Sequence, residues 1–178
     1  KLKRTFTEEI NIQFLLDLLE NYSSEKNWPL VIFLHGYGEC VENLEFVEKA
    51  GPPRLVEEGQ QSHFILASPQ CPPDFHWKSS FIICLVEELE ENYSIDPNRA
   101  YLTGLSRADM DMVGVAGNPE KFAAIVPICG GGSHKDLPFM ERLRNLLIWA
   151  FHDSGDDVVP YQESVRMVAK VNATGEDA

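Results

Sequence analysis

The apolar residues of this chain form short, nearly continuous runs, and this spacing constrains the fold more than any other feature. The runs are rich in β-branched and aromatic residues and cover residues 30–34, 64–67, 100–102, 124–128 and 146–151. Such runs predict strands that are buried on both faces, because a strand with one wet face alternates apolar and polar residues. Segments with helical spacing lie between several of them, most clearly at residues 81–89 and more weakly at 111–116 and 161–171. This alternation predicts one α/β domain over residues 1–178, with a mostly parallel sheet and helices on both faces.

The segment before the first run fits two kinds of element. Residues 10–14 alternate apolar and polar side chains as a half-buried strand does, whereas the leucines of residues 14–20 favour a helix by propensity. We predict a strand over residues 9–16.

Charge and cysteine content exclude several classes of protein. Fifteen basic and 28 acidic residues give a formal net charge of −13, which repels nucleic acid and anionic membrane surfaces. No apolar run reaches the roughly 20 residues that span a bilayer, so we expect a soluble protein, either cytoplasmic or secreted. The four cysteines include no Cys-x-x-Cys pair, so we expect no disulfide framework and no metal; Cys84 and Cys129 are expected to be buried.

The candidate nucleophile is Ser106, in the sequence Gly104-Leu-Ser106-Arg-Ala108. This pentapeptide follows a predicted strand and precedes a helical segment. A serine on a sharp strand-to-helix turn exposes its hydroxyl at the carboxyl end of the sheet, and the turn requires small residues two before and two after it. The alternative interpretation is an ordinary serine N-cap, which is common at helix starts.

Two further segments supply the other groups that such a serine needs. The buried run at residues 30–34 leads into His35-Gly36-Tyr37-Gly38, where glycines allow backbone amides to face a developing oxyanion; the alternative is a plain glycine-rich turn. The run at residues 146–151 leads into a loop that carries Asp156 and Asp157. An acid at a strand end can orient a catalytic imidazole, although paired aspartates are also common in simple turns.

Together these segments resemble the α/β-hydrolase superfamily, and within it the esterase and predicted-peptidase group that includes dienelactone hydrolases, feruloyl esterases and polyhydroxybutyrate depolymerases. The matching stretches span most of the chain: residues 28–39, 51–58, 68–72, 95–106, 118–132 and 149–160. The resemblance implies that Ser106 is the nucleophile, that the amides of Tyr37 and Arg107 form the oxyanion hole, and that Asp156 is the triad acid.

The resemblance also assigns positions to three other residues. His35 matches a loop residue that is structural in this group, and His152 matches a strand-end position that is not the catalytic base. Trp77 lies where the group often places aromatic residues near the acyl pocket, so we predict a substrate contact there, with core packing as the alternative.

Two departures from the group's pattern bear on activity. The group usually has Gly-x-Ser-x-Gly-Gly, whereas Ala108-Asp109 stand here after Arg107. No histidine follows Asp156, and too few residues remain for the helix, strand and loops that precede the base in this group. We expect that the C-terminal strand-helix portion, with the triad histidine, lies beyond Ala178.

The sequence therefore predicts a serine hydrolase that cleaves small carboxylic esters through a covalent acyl-enzyme and needs no cofactor. One alternative is a peptidase that uses the same machinery. A second alternative, favoured by the altered motif and the absent histidine, is a non-catalytic binding protein with this fold. The sequence does not specify the oligomeric state.

Overall fold

The computed structural model describes residues 9–71, 73, 77–106, 118–130 and 142–175. Its strands are β1 (Phe14–Asp17), β2 (Trp28–Leu34), β3 (Ile65–Pro69), β4 (Ile95–Leu105), β5 (Ala124–Ile128) and β6 (Leu147–Ile148). Its α-helices are α1 (Gly51–Glu57), α2 (Ser79–Asn92) and α3 (Gln162–Gly175).

The six strands form one sheet in the order β1-β3-β2-β4-β5-β6. Only β1 runs antiparallel to its neighbour, and every other pairing is parallel. The predicted mostly parallel sheet is therefore confirmed. The prediction of a strand over residues 9–16 is wrong at its start, because pairing with β3 begins at Phe14, and β6 is shorter than its apolar run.

The core lies against the central strands. Four residues of β2 and every residue of β3 are buried, as expected for strands covered on both faces. Helix α2 adds Ile82, Leu85, Val86 and Leu89, which recur at helical spacing on one face. The predicted helices at residues 81–89 and 161–171 are confirmed, and the candidate at 111–116 lies outside the described residues.

One close contact fixes the start of α1 against β2. Gly51 has a φ of +66°, and a Cβ atom added there would lie 2.4 Å from the ring of Phe33. Both the backbone conformation and the missing side chain therefore require glycine at this position.

All four cysteines are free thiols, and two of them are less buried than predicted. Cys84 is exposed because it falls outside the buried stripe of α2, and Cys129 is half-buried after β5. No helix in the described part of the chain is long and apolar enough to cross a membrane.

Candidate active site

Three strand ends bring the predicted catalytic segments to one edge of the sheet. Leu105 of β4 pairs with Ile128 of β5, and Ile128 bridges Phe151 beyond β6. The residues that follow these three positions are Ser106, Cys129 and His152. The amide of Ser106 donates to the Ile128 carbonyl at 2.8 Å, and the amide of Cys129 donates to the Phe151 carbonyl at 2.8 Å. Because neighbouring strands lie about 4.8 Å apart, Ser106 and the acid loop are separated by roughly two strand spacings.

Ser106 has a strained backbone. Its φ of +56° lies in the left-handed region, which costs a residue with a side chain about 1–2 kcal/mol. This conformation follows β4 directly and is the kind of sharp turn that presents a serine hydroxyl at a strand end. Arg107, the second predicted oxyanion donor, lies outside the described residues together with Ala108 and Asp109.

The glycine-rich segment at residues 35–39, here called the oxyanion loop, packs against Ser106. A Cβ atom added to Gly36 would lie 3.7 Å from the Ser106 Cβ and 3.7 Å from the Leu105 carbonyl oxygen. Tyr37 begins a 3₁₀ turn over Tyr37–Glu39, and its side chain is 61% exposed. The structure therefore places the predicted donor segment beside the predicted nucleophile.

A buried histidine holds this loop. His35 is 1% exposed; its Nε2 accepts a hydrogen bond from the Cys71 amide at 2.9 Å, and its Nδ1 lies 2.8 Å from the Gly36 carbonyl oxygen. Because an amide only donates and a carbonyl only accepts, the ring is neutral with its proton on Nδ1. Burial lowers the pKa of His35, although the Gly36 carbonyl and Glu39 act in the opposite direction.

The direction of the Gly36 carbonyl determines the direction of the Tyr37 N–H, because both belong to one peptide unit. In a planar trans peptide the carbonyl and the N–H of the same unit point in opposite directions. The hydrogen bond from His35 to the Gly36 oxygen therefore helps to orient the Tyr37 N–H. The buried, neutral ring of His35 therefore influences the orientation of the Tyr37 amide, which is a candidate oxyanion donor.

Two more side chains, those of Gln70 and Trp77, donate hydrogen bonds to backbone carbonyls of the same loop. Gln70 Nε2 donates to the Glu39 carbonyl at 2.7 Å and to the Cys71 carbonyl at 3.0 Å. Trp77 is 7% exposed; its Nε1 donates to the His35 carbonyl at 3.3 Å, and its ring centroid lies 5.0 Å from that of His35. These contacts fit the core-packing alternative for Trp77, and its contact with substrate stays a prediction. No sequence pattern predicts this role of Gln70, because Glu39 and His35, which it contacts, lie more than 30 residues away along the chain.

The second half of the site is the loop that carries Asp156. Its Oδ1 accepts hydrogen bonds from the amides of Val158 at 2.9 Å and Val159 at 2.8 Å. Its Oδ2 lies 3.5 Å from His152 Nε2. Backbone hydrogen bonds from Val159 and Val158 lower the pKa of Asp156, and His152 and the Cys129 thiol add to this effect. Asp156 is therefore an ionised acid with fixed geometry, whereas Asp157 is exposed.

His152 is held inside this loop. Its Nε2 lies 2.8 Å from the Val159 carbonyl oxygen, and its Nδ1 lies 2.7 Å from Ser164 Oγ. Ser164, on α3, also donates to the Gly130 carbonyl at 3.0 Å. Both ring nitrogens thus have partners within the loop and α3, which fits a structural role for His152.

Cys129, His152 and Asp156 form a cluster that the sequence did not reveal, because its members come from two strand ends. One ligand atom from each lies within 4.8 Å of the others, so the set could in principle hold a metal ion. However, His152 Nε2 donates to the Val159 carbonyl, and a metal ion would have to displace that hydrogen bond. Cys129 itself has a φ of +53°, like Ser106 one strand away.

The chain is similar to a known depolymerase in sequence and to a known esterase in structure. No protein-family model matches the chain. Poly(3-hydroxyalkanoate) depolymerase C of Paucimonas lemoignei is 33% identical over 59% of this chain and 28% of its own length. A thermostable esterase is 30% identical with a TM-score of 0.75, covering 93% of this chain and 49% of its own.

More distant structures share the fold. Acetyl xylan esterase from Aspergillus awamori superposes with a TM-score of 0.70 at 17% identity, covering 94% of this chain and 76% of its own. Acylaminoacyl peptidase of Pyrococcus horikoshii gives 0.69 at 11% identity, with 96% and 34% covered. These likenesses confirm the predicted fold class. The chain spans less than half the length of the depolymerase and of the thermostable esterase.

Proposed function

We propose that this chain, which has the α/β-hydrolase fold and is similar to its esterases, carries the nucleophile, oxyanion loop and acid of a serine hydrolase that cleaves carboxylic esters. The observation that carries the proposal is the strained turn at Ser106, with Gly36 packed against it. A serine held at a costly φ beside a glycine-rich loop, with an ionised aspartate about two strand spacings away, supplies three of the groups that acyl transfer requires. The remaining group is a histidine base.

Each group has a defined part in the proposed reaction. Ser106 Oγ attacks the ester carbonyl while its proton passes to a triad histidine that is not among the residues assigned above. The amides of Tyr37 and Arg107 stabilise the oxyanion of the tetrahedral intermediate. The histidine then protonates the leaving alcohol. In the second half of the reaction the histidine takes a proton from water, which attacks the acyl-enzyme, and returns that proton to Ser106 Oγ as the carboxylic acid leaves. Asp156 keeps the histidine oriented and stabilises its charged form.

Ester hydrolysis is favoured over peptide hydrolysis because the two relatives with the higher identity are named as a depolymerase of a polyester and an esterase. The peptidase alternative is supported by the shared fold of the acylaminoacyl peptidase. The non-catalytic alternative is supported by the Ala108-Asp109 sequence after the nucleophile.

Steady-state kinetics would test the proposal on the protein expressed with whatever its reading frame encodes beyond Ala178. We expect turnover of p-nitrophenyl butyrate that is lost in Ser106→Ala and retained in Ser154→Ala, which removes an exposed serine of the acid loop. Faster cleavage of a matched acyl-peptide p-nitroanilide would favour the peptidase. Turnover of neither substrate would favour the binding protein.

A further inference from the structure

A cleft beside the oxyanion loop has the features of a binding site. We propose that it binds a neutral, hydroxyl-bearing group, and, as a deepening of the proposed function, that this group belongs to the ester substrate. The cleft has a volume of about 380 Å³ and is lined by Asn11, Gln13, Val41, Glu42 and Gln70. This volume lies within the range of about 300–1,000 Å³ typical of small-molecule sites.

An unpartnered buried acceptor points to a ligand. Gln70 is 4% exposed, and both protons of its Nε2 are used on the Glu39 and Cys71 carbonyls. Its Oε1 has no hydrogen-bond partner among the described residues. Leaving a buried acceptor unpaired is costly, so a donor from a ligand or from solvent is expected at this atom.

The lining residues define the chemistry of that donor. None of the described lining residues is basic, and Glu42 adds negative charge, so the cleft disfavours anions. Asn11 and Gln13 each offer an amide that both donates and accepts. A hydroxyl can donate to Gln70 and accept from a neighbouring amide at the same time, whereas an ammonium group can only donate.

The cleft is linked to the oxyanion loop by hydrogen bonds. Gln70 Nε2 holds the Glu39 carbonyl at 2.7 Å, and the Val41 amide donates to that same carbonyl at 2.9 Å. On the other side, the Gln70 amide donates to the Gln13 carbonyl at 2.8 Å. A group bound at Gln70 therefore contacts the residue whose side chain hydrogen-bonds the oxyanion loop.

Direct binding tests the site without relying on catalysis. Saturation-transfer NMR with erythritol, a neutral polyol, should give a signal with the full-length protein. Gln13→Ala should reduce it strongly, because one lining amide is lost while the backbone bond to Gln70 is kept. Gln60→Ala, which removes the same side chain from an exposed turn, should leave it unchanged. A signal from n-butylammonium in place of erythritol, or from neither probe, would overturn the site.

A matched pair of esters tests its link to catalysis. Glyceryl 1-monobutyrate and propyl butyrate share the acyl group and the number of alcohol carbons, and differ by two hydroxyls. We expect kcat/KM to favour the glyceryl ester about two- to tenfold, the range for one net hydrogen bond, and to become nearly equal in Gln13→Ala. Hydrolysis of both esters without preference would refute the link and leave the proposed function intact. Erythritol binding without any hydrolysis would refute the proposed function and leave the site intact.

Discussion

Replacing His35 with alanine should separate the stability of the oxyanion loop from its proposed catalytic role. The ring accepts from the Cys71 amide at 2.9 Å and holds the Gly36 carbonyl at 2.8 Å. His35→Ala leaves a buried amide unpaired, which costs about 1–3 kcal/mol. At about 2–4 °C per kcal/mol for a domain of this size, Tm should fall by about 2–12 °C.

The same substitution should lower kcat, because the Gly36 carbonyl loses its shortest hydrogen bond. The longer bonds from the Glu39 amide at 3.4 Å and the Cys40 thiol at 3.8 Å remain, so the Tyr37 N–H is held less firmly. Complete loss of one oxyanion donor costs about 10²–10³ in kcat, which sets the upper limit. We expect a decrease of at least about tenfold with little change in KM, since this donor acts on charge that develops in the transition state.

The matched control is Tyr22→Phe. The Tyr22 hydroxyl accepts from the Ser94 amide at 3.0 Å, just before β4 begins and so at the opposite edge of the sheet from Ser106. Tyr22→Phe should also lower Tm, because the Ser94 amide loses its acceptor, but it should leave kcat unchanged. Thermal denaturation and p-nitrophenyl butyrate kinetics on both variants make the comparison. If His35→Ala lost stability as the control does but kept full kcat, the inferred control of the Tyr37 amide would be wrong.

Three other predictions follow from single contacts. Gly51→Ala, which forces a Cβ to 2.4 Å from the Phe33 ring at a φ of +66°, should lower the free energy of unfolding by about 2–4 kcal/mol in urea titrations. Gly59→Ala, at a φ of +88° with open space around it, should cost only the backbone strain, and equal losses would refute the packing argument. Asp156→Asn should lower kcat roughly 10⁴-fold with the fold kept by circular dichroism, and near-normal turnover would remove Asp156 from the triad. Because the pKa of His35 is lowered in the folded state, the unfolded chain binds more protons below about pH 6.5; stability should therefore decrease as pH falls from 6.5, and this slope should be absent in His35→Gln.

Local features of this molecule could be predicted from the sequence, whereas contacts between distant segments could not. The turn at Ser106 is encoded within five residues, and the buried strands by their own apolar runs, so both could be located. Gln70 could not be predicted, because its role depends on the oxyanion loop that β2 delivers beside the end of β3. Cys129 was predicted as a buried hydrophobe, because nothing local shows that β5 ends beside the loop of Asp156.

The predicted start of β1 was inaccurate for the same reason, because contacts with a distant segment decide where a strand begins. The alternation at residues 10–14 continues into β1, but only the residues from Phe14 onward find a partner in β3. The position of Cys84, in contrast, could have been derived from the helical spacing of Ile82, Leu85 and Val86, which turns it toward solvent.

The most direct test of the central claim is covalent labelling of the nucleophile. The protein, expressed with the residues that its reading frame encodes beyond Ala178, would be treated with a fluorophosphonate probe and mapped by peptide mass spectrometry. The proposed mechanism predicts one label, on Ser106, that is lost in Ser106→Ala and strongly slowed in Asp156→Asn. A protein that stays unlabelled, or is labelled at another serine, would contradict the assignment of Ser106 as an acyl-transfer nucleophile.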